Sequence, residues 1–184
     1  MTPAAQGRLL LRIARQSIDE ALGQPPAPYP QADWLAQPGA TFVTLTQNGE
    51  LRGCIGTLES WRPLGEDVRE NARAAAFRDP RFPPLGADEL ARTEIEVSLL
   101  SAATPLQFGN EAEALAQLRP HQDGLILSCG ARRATFLPQV WEQLPRPAQF
   151  LAHLKVKAGL PGDYWSDQIE LARYQVEKWR EQEF

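Results

Sequence analysis

The residue types best suited to chemistry meet in one run, Leu51-Arg52-Gly53-Cys54-Ile55-Gly56-Thr57-Leu58. Its composition is typical of a β-strand, and alternate side chains of a strand point to opposite faces. We therefore expect Arg52, Cys54 and Gly56 on one face. A cation beside a cysteine favours the thiolate, which is the reactive form. Gly53 and Gly56 leave room for a ligand or another backbone to approach closely.

Cys54 has two interpretations. It is a thiolate nucleophile or thiol carrier stabilised by Arg52, or it is a small buried hydrophobe within a strand. Spacing alone favours the buried interpretation, because cysteines inside strands usually belong to the core. No histidine lies near Cys54 in the sequence to serve as its base.

Arg52 also has two interpretations, which the sequence leaves open. It binds an anion together with backbone amides at Gly53 and Gly56, or it forms a cross-strand ion pair with a glutamate such as one in 94–96. The two glycines do not form a phosphate-binding loop, because no glycine-rich turn leads from them into a helix.

A second polar cluster follows at Arg73, Arg78, Asp79 and Arg81. Arg78, Asp79 and Arg81 are candidates for the rim of a cleft beside the run, with Asp79 as a general base. The alternative is a structural Asp-Pro turn whose carboxylate accepts hydrogen bonds from nearby backbone amides. We favour the structural role from the residues alone.

Other catalytic patterns are weak. His121, His153 and Cys129 lack the closely spaced pairs of a zinc site. No Ser-His-Asp order or pair of catalytic carboxylates stands out. No cofactor or metal site is evident in the sequence, which leaves the cofactor unknown and a metal site assembled from distant residues open.

The elements around the run follow from turn and capping signals. Asn48-Gly49 predicts a two-residue hairpin turn between a strand at 41–46 and the run. Thr2-Pro3 predicts a helix start, and Gly23 its end. The remaining expected elements are a helix from Leu64 through Ala75, a short helix at 87–91, and a strand at 94–100.

The second half repeats the mixture of helices and strands. The expected helices are 111–118, one opened by Pro138 and continuing through Leu144, and one opened by Pro147 and ended by Gly159; the expected strands are 125–128, 133–136 and a final one through Ile169, Leu171 and Tyr174. Hairpins mixed with helices predict an α+β fold with a largely antiparallel sheet and flanking helices.

Composition narrows the class of protein. A chain of 184 residues predicts one domain, 1–184, or a domain with a smaller lobe. Its 23 acidic and 19 basic residues argue against broad non-specific nucleic-acid binding. No apolar run approaches the roughly 20 residues that span a bilayer, and the first residues, 1–8, lack the basic and apolar regions typical of a signal peptide. We expect a cytoplasmic protein with both cysteines as thiols.

These residues together resemble a known family, the AMME-syndrome candidate protein family, called AmmeMemoRadiSam system protein A in bacteria. The segments that carry the resemblance span most of the chain from Leu9 to about Trp179. They are the run 51–58, Ala76-Phe77-Arg78-Asp79-Pro80-Arg81-Phe82, Glu96-Val97-Ser98-Leu99-Leu100, His121-Gln122-Asp123-Gly124-Leu125, Thr135-Phe136-Leu137-Pro138-Gln139-Val140-Trp141 and 150–160. The run ends in Leu58 where the family pattern has an aromatic residue.

The resemblance implies an α+β unit of two unequal lobes with a cleft between them. It implies partnership with a Memo-like protein and a radical S-adenosylmethionine enzyme, and a general role in RNA modification has been predicted for the family. It names no reaction. It favours a functional Cys54 and Arg52, because the hallmark run contains both. Three roles follow as hypotheses: a thiol-dependent modification enzyme, a non-catalytic adaptor for partner proteins, or an RNA-modification protein.

Overall fold

The computed structural model describes residues 2–184, in which helices and strands alternate along the chain. The α-helices are α1 (Pro3–Ala21), α2 (Leu64–Phe77), α3 (Glu111–Gln117) and α4 (Pro147–Lys157). The strands are β1 (Pro38–Gln47), β2 (Glu50–Gly56), β3 (Arg62–Pro63), β4 (Glu94–Leu100), β5 (Thr104–Pro105), β6 (Gly124–Cys129), β7 (Arg132–Phe136), β8 (Ile169–Tyr174) and β9 (Val176–Arg180). Short 3-10 helices span Asp33–Ala36, Ala87–Arg92, Pro138–Glu142 and Glu181–Glu183.

The chain divides into two compact units. The first unit comprises Met1–Leu100 with Glu177–Phe184, and the second unit comprises Ser101–Val176. The first unit holds a sheet in the order β2-β1-β4-β9, with β3 paired to β1. The second unit holds a sheet in the order β5-β8-β6-β7. Antiparallel pairing of β1 with β2 and β4, and of β6 with β7 and β8, confirms the predicted α+β class.

The first unit is built around one core beneath its sheet. Apolar residues recur at helical spacing in α1 and α2, and they pack against Val43, Leu45, Ile95 and Val97 of the sheet. Because strand side chains alternate, the residues between these positions point away from the core. Trp179 of β9 also joins this core, so the end of the chain contributes to the first unit.

The hairpin between β1 and β2 turns as the sequence predicts. Asn48 and Gly49 both have positive φ, 51° and 80°, which a two-residue turn of this kind requires. Strand β1 is longer than the expected 41–46, since it begins at Pro38. Its first residues pair with β3, so this strand binds two partners in succession along the same edge.

The second unit has its own core between its sheet and α3 and α4. Trp141 and Phe150 stack at its centre, with ring centroids 3.7 Å apart. The final strand expected through Ile169 and Tyr174 is present as β8. The helix expected from Pro138 through Leu144 is a shorter 3-10 helix, Pro138–Glu142.

Within residues 2–184, no helix combines the length and apolar character that crossing a bilayer requires.

Candidate functional site

Strand β2 carries the predicted run, and its alternation is interrupted in the middle. Leu45 stands opposite Gly53, but Thr46 stands opposite Leu51, so Arg52 is the extra residue of a β-bulge. A bulge shifts the side chains on one side of it relative to those on the other. The regular alternation expected between Arg52 and Cys54 is therefore interrupted at Arg52.

The Arg52 guanidinium is held by a carboxylate of another element. Its Nε and Nη2 donate to the two carboxylate oxygens of Glu89, each at 3.0 Å. Glu89 lies in the 3-10 helix Ala87–Arg92, and this pairing with Arg52 lowers its pKa to about 2. The ion-pair interpretation of Arg52 thus describes the observed contact, although the partner precedes the strand 94–100 rather than lying in it.

The Cys54 thiol lies on the sheet face opposite the core. Cys54 stands opposite Thr44, and its Sγ lies 3.3 Å from Thr44 Oγ1. Its residue is half-buried, whereas Cys129 is buried in the core of the second unit. Both cysteines are free thiols. The thiol of Cys54 is therefore neither sealed in the core nor fully open to solvent.

The backbone of Cys54 is fixed from outside the sheet. Strand β2 is the edge strand, so its outward N–H and C=O groups have no neighbouring strand. The Cys54 N–H donates to Asp79 Oδ2 at 2.9 Å, and Arg81 Nη2 donates to the Cys54 carbonyl at 3.3 Å. These two side chains occupy the hydrogen-bonding edge at Cys54 where another strand would otherwise pair.

Asp79 and Arg81 also bind each other. Arg81 Nε donates to Asp79 Oδ1 at 3.0 Å, and Arg81 Nη2 donates to Oδ2 at 2.7 Å. These hydrogen bonds hold the pKa of the buried Asp79 carboxyl well below its usual range, so Asp79 is an anion and a poor general base. Asp79 also accepts the Arg81 backbone N–H, which is the turn that the structural interpretation predicts.

Arg81 provides the cation near the thiol. The hydrogen bonds to Asp79 are the main cause of its raised pKa. The Arg81 side chain is 54% exposed, and its Nη1 has no hydrogen-bond partner within residues 2–184. Arg78, by contrast, turns to Glu70 and stays exposed. Of the predicted rim residues, Asp79 and Arg81 contact Cys54, while the contacts of Arg78 lie elsewhere.

The two glycines of the run make room for the protein itself. A Cβ at Gly53 would lie 2.1 Å from the carbonyl oxygen of Ala75 in α2. A Cβ at Gly56 would lie 2.2 Å from the ring of Phe42. The close approach predicted from these glycines is thus made by the α2 backbone and an aromatic ring of β1.

Sequence reasoning missed a buried polar network at the end of β2. Asp67 is fully buried and accepts five hydrogen bonds, from Thr41 N and Oγ1, Thr57 Oγ1, Arg62 Nε and Asn71 Nδ2. From the sequence, Asp67 is only a first-turn carboxylate that suits the helix dipole. The available signal was Asn71, four residues later on the apolar side of α2, because residues at this spacing share a helix face.

Arg62 of this network also contacts an aromatic side chain, Trp61. The Arg62 guanidinium lies 4.7 Å from the centre of the Trp61 ring. Trp61 is 69% exposed, and Leu58 in the same loop is also exposed. Because Asp67 fixes Arg62, the cation on one side of this indole has a defined position.

The described residues contain no cluster of side chains suited to hold a metal ion. Among residues 2–184, no three His, Cys, Asp or Glu side chains are grouped to hold a metal ion. His121, the loop histidine, has a positive φ of 64° and is exposed.

Comparison with known proteins places this arrangement in a family. The AMMECR1 family model matches residues 11–179. A protein of Methanothermobacter thermautotrophicus is 38% identical over 181 residues, which cover 96% of this chain and 94% of that protein. Protein MK0488 of Methanopyrus kandleri is 36% identical over 189 residues, covering 97% and 89% of the two chains.

The fold has a solved relative as well. The crystal structure of uncharacterized protein PH0010 from Pyrococcus horikoshii matches with a TM-score of 0.80 and 32% identity. The match covers 96% of this chain and 92% of that one. The resemblance seen in the run 51–58 and the other segments is confirmed: the chain belongs to the AMMECR1 family.

Proposed function

We propose that this protein is a thiol-dependent modification enzyme in which Cys54 is the reacting group and Arg81 binds an anionic group of the substrate. One observation carries the proposal: Cys54 is a free thiol in a half-buried residue whose backbone N–H and C=O groups are both fixed, by Asp79 and Arg81. A cysteine with only a packing role would not need a cation held at its side. Pre-organised groups of this kind are what catalytic sites require.

Three contacts support a reactive thiol. The Thr44 hydroxyl lies within hydrogen-bond range of Sγ, so it can donate to a thiolate. The Arg81 guanidinium donates to the Cys54 carbonyl, so a positive charge stands beside the residue that carries the sulfur. Arg81 Nη1 remains available to a carboxylate or phosphate, and guanidinium groups bind such anions in a defined geometry. In this proposal, the role first expected of Arg52 belongs to Arg81.

The proposal includes a setting and partners. In the cytoplasm the thiol would stay reduced. The expected partners are a Memo-like protein and a radical S-adenosylmethionine enzyme, one of which would supply or take up the group that Cys54 carries. The substrate would then be an intermediate passed among the three proteins.

The first test compares the two cysteines in the native protein. Iodoacetamide labelling at neutral pH is followed by peptide mass spectrometry, with glutathione as the reference thiol. We expect Cys54 to react faster than both Cys129 and glutathione. Exposure alone would make Cys54 faster than Cys129, but would not make it faster than a freely exposed thiol. Labelling of Cys54 that is slower than that of glutathione would exclude an activated nucleophile.

A second candidate function is a non-catalytic adaptor, and Trp61 favours it. An exposed indole fixed by a neighbouring cation suits a binding hot spot, because little side-chain freedom is lost on contact. In this case Trp61→Ala abolishes co-purification of the Memo-like protein or the radical enzyme, and Cys54→Ser leaves it intact. If Cys54→Ser abolishes activity of the reconstituted system but not the complex, the enzyme proposal holds.

The RNA-modification alternative requires a patch of unpaired basic side chains for phosphate contacts. Around the run, five arginines each form an ion pair with a carboxylate. These are Arg52, Arg62, Arg73, Arg78 and Arg81. No contact among them favours RNA over a smaller anion.

A further inference from the structure

The second unit contains a groove of about 740 Å³ that none of the functions above uses. All of its lining residues lie between Ala103 and Ala172. Its floor includes the outward side chains of β6 and β8, where Ile126 pairs with Ala172 and Ser128 pairs with Glu170. A volume of this size is typical of a small-molecule site.

Two aromatic rings form one side of the groove. Phe108 and Trp165 meet with their ring centroids 5.6 Å apart and their planes tilted by 54°. The ammonium group of Lys155 lies 5.5 Å from the centre of the Trp165 ring, and Lys155 is itself buried and paired with Glu111. These contacts fix the indole, so this side of the groove is preformed.

The charged residues that line the groove are two carboxylates and one guanidinium. Asp167 and Glu170 both line it and are exposed. Neither forms an ion pair with any residue of 2–184. Arg133 also lines the groove, but it is already engaged in another interaction.

The remaining polar group is a hydroxyl on the floor. Ser128 is half-buried, and its Oγ has no hydrogen-bond partner within residues 2–184. It stands between apolar Ile126 and acidic Glu170, where it can accept a hydrogen bond from a ligand. An apolar surface, a free acceptor and two carboxylates without an ion-pair partner therefore share one groove, with Arg133 also in its lining.

We propose that this groove binds a ligand with a cationic head group on an apolar body. The ammonium or guanidinium group lies at Asp167 and Glu170, and the apolar body covers Ile126 and Ala172 toward Trp165. Charge-assisted hydrogen bonds to carboxylates are about twice as strong as neutral ones. Two sources supply this chemistry, a free arylalkylamine and the basic side chain of a peptide. The site is independent of Cys54 and would bind its ligand even if the thiol proposal failed.

Calorimetry on the full chain tests the proposal with charged and neutral probe pairs. Tryptamine is compared with tryptophol, which replaces the ammonium by a hydroxyl group. Acetyl-phenylalanyl-arginine amide is compared with the citrulline peptide, which has the same shape without the charge. We expect at least one cationic probe to bind about tenfold more tightly than its neutral counterpart at low salt. The pair with the larger ratio identifies the source.

Substitutions of single carboxylates test whether the cationic probe binds in the groove. Asp167→Asn and Glu170→Gln each weaken binding of the cationic probe about 1.5- to 5-fold, as expected for exposed charge pairs. Asp163→Asn is the matched control, since Asp163 is an exposed aspartate of the same segment outside the groove lining. It should change nothing. All three substitutions are at exposed positions, so the folded state is retained.

Three results would overturn the proposal. They are equal binding of the charged and neutral probes, loss of binding in Asp163→Asn equal to that in the groove variants, and no binding of either cationic probe at millimolar concentration. Amide chemical shifts provide the second readout. On addition of the tighter probe, Ile126, Ser128 and Ala172 should shift most, and shifts confined to other residues would also overturn it.

Discussion

Two buried aspartates lie beside strand β2: Asp79 accepts the Cys54 N–H, and Asp67 accepts the hydroxyl of Thr57, just after the strand. Their paired arginines differ in exposure. Asp67 is enclosed with Arg62, whose side chain is 15% exposed, in a network of five hydrogen bonds to the carboxylate. Asp79 pairs with Arg81, whose side chain is 54% exposed beside Cys54. Both are aspartate–arginine ion pairs. The pair at Asp67 joins the sheet to α2, whereas the pair at Asp79 places a cation beside Cys54.

This difference in exposure distinguishes a structural ion pair from a candidate functional one. Every hydrogen-bond partner of Asp67 belongs to the protein, so the network fixes α2 and Thr57 in place. At Asp79, the carboxylate is satisfied, but the guanidinium retains a free Nη1 at the surface. Substitutions at Asp67 should therefore affect stability first, and those at Asp79 and Arg81 should affect the thiol.

The largest expected effect is at Asp67. Asp67→Asn replaces a carboxylate that accepts from Arg62, Asn71 and Thr41 with an amide that brings its own donors. Breaking a buried charged pair by removing one partner costs about 3–5 kcal/mol. Urea denaturation should show this loss of unfolding free energy. A loss below about 1 kcal/mol would mean that the network is not structural.

Gly53 offers a second test of the structural side. Gly53→Ala places a Cβ 2.1 Å from the Ala75 carbonyl oxygen, which is backbone and cannot rotate away. We expect a loss of about 3 kcal/mol from overpacking. Gly49→Ala is the control, because Gly49 has φ +80° but open space around it, and should lose only about 1 kcal/mol. Equal losses would mean that the approach of α2 is not tight.

Asp79→Asn should have a smaller effect on stability and a larger one on the thiol. The variant keeps an acceptor for the Cys54 N–H but removes the ion pair with a half-exposed Arg81. Loss of this charge-assisted bonding costs about 1–2 kcal/mol. The alkylation rate of Cys54 should change as Arg81 loses its anchor. An unchanged rate together with a large loss of stability would place Asp79 with Asp67 as purely structural.

The smallest expected effect is on the free energy of unfolding of Glu89→Gln, measured as a function of pH. Pairing with Arg52 lowers its pKa from 4.5 to about 2, so the unfolded chain binds more protons between these values. The pair therefore stabilises the protein above about pH 4.5, and this stability is lost as pH falls to about 2. The difference in unfolding free energy between wild type and Glu89→Gln, on the order of 1 kcal/mol, should shrink over that window. A constant difference would contradict the assignment.

Local signals in the sequence predict much of the frame. Asn48-Gly49 fixes the hairpin because both turn residues must adopt positive φ. The pattern from Leu64 to Ala75 predicts α2, and the alternation at 94–100 predicts β4. These elements depend on residues close to one another along the chain, so short-range rules suffice.

The site depends on contacts that no local rule contains. The bulge at Arg52 has no sequence signal, and the guanidinium first expected to act on the thiol pairs with Glu89. Arg81 reaches Cys54 only because the segment after α2 passes along the open edge of β2. Asp79 and Arg81 were predicted as candidates, but their role as partners of the Cys54 backbone follows from the fold alone.

The most direct test of the central claim uses the charge of the alkylating reagent. Iodoacetate carries a carboxylate and iodoacetamide does not, so the ratio of their rates at Cys54 measures the cation beside the thiol. We predict that Arg81→Gln lowers this ratio about 1.5- to 5-fold, as expected for loss of one exposed charge interaction. Arg78→Gln, whose arginine pairs with Glu70 instead, should leave it unchanged. An equal ratio in wild type and Arg81→Gln would contradict a thiol site that binds anions through Arg81.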